Sequence, residues 1–160
     1  MKRQTTLSNR NSPSDIGQAF GEGKPEQSTI MSVRVVRLGT PRQPAEGLRI
    51  GTVRRPPRGV RKQEYASRNY FDVWLPELAP SAPLVSWALS EPFTAKRWAT
   101  YERRYRSEMR QPSPQRLISM LARLSVQSNF SVGCYCKDER LCHRRLLKEL
   151  LIEKGALCSD

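Results

Sequence analysis

From residue 31 onward the apolar positions fall into short β-branched runs and longer helical stripes. Val33 to Leu38 is such a run, bounded by Gly39 and Pro41, and predicts a strand. Leu48 to Val53 predicts a second strand. The pair Pro56-Pro57 ends extended pairing after it, because proline lacks the backbone donor a ladder needs. Tyr70 to Leu75 predicts a third strand, stopped by Pro76, and a short helix follows from about Pro83 to Leu89. Thr94 is placed to cap a helix running to about Arg110. Within it Trp98, Tyr101, Tyr105 and Met109 recur at helical spacing and predict a core-facing stripe. Ser113-Pro114 opens the next helix, with Leu117, Met120, Leu121 and Leu124 inward. Phe130 to Cys136 reads as a buried strand. A polar loop, 137–140, leads into a final helix that ends near Lys154 before Gly155.

Strands alternating with helices predict one α/β domain, with a small parallel or mixed sheet flanked by helices. Its expected extent is 31–157, with 158–160 as a tail. Residues 1–30 are polar, with Ile16, Phe20 and Ile30 as isolated large apolar residues. That composition predicts a disordered extension. It lacks the apolar stretch of a secretory signal, and Asp15, Glu22 and Glu26 count against a mitochondrial leader. Met31 opens the domain and is a candidate start of translation. No apolar run approaches the ~18 residues of a membrane helix.

Charge changes the picture of partners. The 160 residues carry a formal net charge of +13. Nearly all of it lies beyond residue 30, since the extension holds four basic residues and three acids. Arg49, Arg54, Arg55, Arg58, Arg61 and Lys62 lie close together without an acid among them. Such a field favours a small anionic ligand or nucleic acid, although it is also what a solvated basic surface looks like. Arginine forks suit phosphate.

The chemistry concentrates near the C terminus. Cys134, Cys136 and Cys142 lie beside the sole histidine, His143, and Arg144; Cys158 stands apart. A reducing compartment and free thiols are expected. Three cysteines and a histidine are a zinc ligand set by type, but the paired spacing is absent. Neighbours Cys142 and His143 on a helix would diverge by about 100°. No metal or cofactor is therefore expected. A second reading places Cys142-His143-Arg144 at a helix N-terminus, where backbone donors attract anions and lower a thiol pKa. Cys134 to Arg140 also matches the Cys-x5-Arg spacing of tyrosine phosphatases, but that loop has no glycine and no preceding histidine. A third reading makes the cysteines buried structural thiols.

Cys134, Cys142-His143-Arg144 and the Leu-rich helix after them resemble the C-terminal motif of the domain-of-unknown-function family 488. Gly47-Leu-Arg-Ile, Arg54-Arg-Pro-Pro-Arg-Gly-Val60, Pro80-Ser81, Tyr101 and Tyr105 resemble its YeaO-like branch. The likeness spans roughly 33–155. It implies a compact α/β domain in a mainly prokaryotic, cytoplasmic protein of no established activity. The chain departs from the pattern at Val53, where the family usually has Asp, and at Cys136, where it commonly has Glu. No acid–base role carries over to Val53.

Two functions are weighed. In the first, Arg54, Arg58 and Arg144 bind a phosphate-bearing small molecule, Cys142 or Cys134 is the nucleophile, and His143 carries protons. In the second, the protein binds nucleic acid without catalysis. Neither involves a membrane.

Overall fold

β1 (Val33–Arg37), β2 (Leu48–Gly51), β3 (Val73–Trp74), β4 (Phe130–Cys134) and β5 (Cys158–Ser159) form one sheet in the order β3-β2-β4-β1-β5. Every pairing is parallel. This is a computed structural model describing residues 31–159, so the extension expected over 1–30 lies outside the described residues. β4 is buried at all five positions, as suits a central strand covered on both faces. Side chains alternate along it: Phe130 and Val132 join Val33 and Ile50 in the main core.

Four helices complete the α/β domain. α1 (Ala82–Leu89) and α2 (Ala95–Met109) are capped by Ser81 and Thr94, whose hydroxyls accept from the Leu84 and Arg97 amides. α3 spans Pro112–Leu124, and α4 spans His143–Glu153. Tyr101, Tyr105 and Met109 are buried as the stripe predicts, and the Tyr105 hydroxyl donates to the Leu78 carbonyl at 2.8 Å. No helix of the described residues is long and apolar enough to cross a membrane.

Four local readings change. α3 begins at Pro112 with Gln111 as N-cap, not at Ser113-Pro114, because the earlier proline already supplies the preset φ of a first helical turn. Only Val73 and Trp74 of the third run pair with β2. β4 ends at Cys134 and not at Cys136. Cys158 and Ser159, read as a tail, pair with Val33 and Arg34; two residues are too few to show a period.

The turn before β2 needs glycine. Gly47 has φ +74°, and a Cβ there would lie 2.0 Å from the Asn129 carbonyl oxygen. Beside it lies a closed ion pair. Arg49 is fully buried, donating from Nε and Nη2 to Glu46 at 2.6 and 2.8 Å. Its Nη1 donates to the Thr40 and Asn69 carbonyls at 2.8 and 2.7 Å. Glu46 also accepts from the Ser131 hydroxyl at 2.6 Å and the Gln43 amide at 2.9 Å. Burial pushes the Glu46 carboxyl up, but these bonds outweigh it and hold it at about 2.

Candidate functional site

Parallel strands direct their carboxyl ends to one edge of the sheet, where loops rather than ladders define the surface. A cleft of about 670 Å³ opens at that edge. The segment after β2 (Val53 to Arg58), the residues after β4 and the start of α4 line it, with α1 on the far side. Tyr70, Phe93, Tyr101 and Tyr135 give it aromatic surface, and Arg55 and Arg58 stand exposed at it.

The thiols meet at this cleft. Cys134 and Cys142 are buried, Cys136 is exposed, and all the described cysteines are free. Cys134 and Cys136 sulfurs lie 3.6 Å apart. One sulfur from Cys134, one from Cys142 and one ring nitrogen of His143 lie within 4.8 Å of one another.

The start of α4 explains how adjacent residues converge. Cys142 is the N-cap, with φ −132° and ψ 143°, so its backbone is extended and not helical. The 100° separation of helical neighbours does not apply, and Cys142 Sγ lies 3.8 Å from His143 Nδ1. The Cys142 sulfur takes no part in capping the helix. His143 Nε2 lies 2.7 Å from the Thr52 carbonyl oxygen. A carbonyl only accepts, so Nε2 carries the proton and Nδ1 presents a lone pair toward the thiols. Burial holds the His143 pKa down at about 4, and the ring is neutral near pH 7.

Thiol ionisation follows exposure and donor direction. Hydrogen bonds from Cys134 and Cys142 lower the pKa of exposed Cys136, with the Arg144 charge adding to the effect. Cys134 is pushed up to about 11 by its bond to Cys136 and by burial. Cys142 is raised by its two thiol neighbours and by burial. The sequence offers Cys142 or Cys134 as the activated thiol; in the cluster both of these are raised, and the hydrogen bonds they donate lower Cys136.

The three arginines expected to converge are used differently. Arg54 donates to the Ala79 and Pro80 carbonyls, both at 2.9 Å, and so ties the Pro-rich segment to the approach of α1. Arg144 is buried and donates through Nη1 to the Cys136 carbonyl at 2.6 Å, shaping the cysteine loop from behind. Its Nε is buried without a hydrogen-bond partner among the described residues, although the Glu139 carboxylate lies 3.6 Å away. Arg58 alone of the three is exposed at the cleft. Arg55 joins it, a residue the sequence did not separate from the other basic positions. Cys136 was visible as the second half of a Cys-x-Cys at a strand end, a spacing that puts two sulfurs on one side.

The family model DUF488-N3a, described as the active DUF488-N3 subclade, matches residues 33–155. No curated protein and no solved structure matches.

Proposed function

Since the chain belongs to the DUF488-N3a family, we propose that the cleft is the active site of a cysteine-dependent enzyme acting on an anionic small molecule with a flat apolar part. The observation that carries this reading is an exposed thiol, Cys136, backed by two buried thiols in an aromatic cleft with arginines at its edge. Apolar walls with a few polar groups are the usual make-up of a small-molecule site. Cys136 is the nucleophile. Cys134 and Cys142 donate S–H hydrogen bonds to its thiolate, and His143 Nδ1 is the nearby proton acceptor. Arg55 and Arg58 bind the anion, while Arg54 and Arg144 position the loops.

A pair of alkylating agents tests it. Iodoacetate is anionic, and iodoacetamide is its neutral counterpart. Cys136 is expected to favour iodoacetate, relative to free cysteine, by on the order of tenfold, as a local positive field concentrates anions. Replacing both Arg55 and Arg58 with Gln removes the preference. A ratio equal to that of free cysteine ends the proposal.

The nucleic-acid alternative has weaker support. Arg49 and Arg61, which seemed available to track phosphates, are paired with Glu46 and Glu64. Arg54 is bonded to carbonyls. A shorter basic track remains for the steep salt dependence such binding requires.

A further inference from the structure

We infer that Cys134, Cys136, Cys142 and His143 form a zinc-binding site. This does not rest on the proposed reaction: Cys136 is the nucleophile of the metal-free protein and a ligand of the zinc-bound one. Zinc takes four ligands in a tetrahedron, with Zn–S about 2.3 Å and Zn–N about 2.0–2.1 Å, so neighbouring donors sit roughly 3.5–3.8 Å apart. The sulfurs of Cys134 and Cys136 are 3.6 Å apart, and Cys142 Sγ is 3.8 Å from His143 Nδ1. Cys134, Cys142 and His143 already crowd within 4.8 Å, and Cys136 adjoins them through Cys134. Irregular spacing in sequence is no obstacle, because an extended N-cap and a strand end present the donors together.

The surroundings fit an ion as well as the ligands do. A metal-binding histidine commonly donates its other ring N–H to a carbonyl or carboxylate, which fixes the tautomer. His143 Nε2 holds the Thr52 carbonyl at 2.7 Å, leaving Nδ1 for an ion. Three thiolates around Zn²⁺ leave one net negative charge. Arg144, bonded to the Cys136 carbonyl, and the N-terminus of the eleven-residue α4 face that charge. All four donor residues line the cleft, which gives the ion an entry path. Binding forms three Zn–S bonds and one Zn–N bond, and each thiol still protonated beforehand releases its proton to solvent.

The test titrates reduced, metal-free full chain with Co²⁺, whose tetrahedral thiolate complexes absorb in the visible, then adds Zn²⁺ to displace it. One ion per chain is expected. Cys158→Ser should titrate like the parent, since Cys158 pairs with Val33 at the opposite end of β1 from Cys134. Cys136→Ser alters an exposed residue and should weaken uptake by at least about tenfold, or about 1.4 kcal/mol. Absence of stoichiometric uptake overturns the site, and so does uptake unchanged in both Cys136→Ser and His143→Gln. Zinc should also protect Cys136 from iodoacetamide. If the metal-free protein shows no preference for iodoacetate yet takes up cobalt, the enzyme reading falls and the zinc site stands.

Discussion

Arg49 and Arg144 are both buried, and the contrast between their surroundings separates structural from functional polarity. Arg49 makes four hydrogen bonds, two to a carboxylate that is itself held by Ser131 and Gln43. Each polar atom of that pair has a partner, and a closed network of this kind fixes one arrangement. Arg144 donates only to carbonyls of the cysteine loop, and its Nε, 3.6 Å from the Glu139 carboxylate, has no hydrogen-bond partner among the described residues. Its neighbours are thiols and a neutral imidazole that opens onto a cleft. An incompletely satisfied buried cluster at a strand-loop-helix junction is where ligand chemistry is to be sought.

Four experiments press on this contrast. Arg49→Met strands the Glu46 carboxylate and should cost about 3–5 kcal/mol in denaturant unfolding, the usual result of removing one partner of a buried pair. A loss under 1 kcal/mol would erase the distinction. Next comes acid. Glu46 has a folded pKa of about 2, below its ordinary 4.5, so its stabilisation is complete above 4.5 and is lost as pH falls toward 2. Unfolding curves across that window should steepen in the parent and flatten in Glu46→Gln. Arg144→Met removes charged donors from two carbonyls without orphaning an acid in a comparably closed pair, and should cost about 1.5–3 kcal/mol. A cost equal to that of Arg49→Met would make the two sites alike. Smallest is Cys136→Ser, expected within about 0.5 kcal/mol of the parent because the residue is exposed. The same variant should abolish the rapid iodoacetate reaction, which mass spectrometry of the labelled peptide reads directly.

Much of the framework was legible in the sequence. The β-branched runs marked β1 and β2, and the aromatic stripe marked the buried face of α2, since period and burial share one cause. The cysteine-rich strand-loop-helix was legible too. What escaped depends on how the backbone turns to bring partners together, whether they are near or distant in sequence. Arg49 looked like part of a basic patch, because the acid that neutralises it precedes the strand and turns back on it. Arg54 looked like an anion ligand, but the carbonyls it meets, those of Ala79 and Pro80, carry no side-chain signal. Neighbouring Cys142 and His143 seemed unable to chelate because helical geometry was assumed through the cap.

The central position of β4 has a consequence for how the protein is made. β4 pairs with β1 on one side and β2 on the other, yet it is synthesised long after both. At its entry the Ser32 amide meets the Asn129 side chain across 97 residues of chain. Closing so long a loop is entropically slow and marks a topology of high contact order. A nascent chain that stops short of Phe130 has only the β2–β3 pair to form. Its first strand waits unpaired, exposed to wrong partners. The thiol cleft therefore cannot form until the C-terminal segment that carries β4 and the start of α4 has been made.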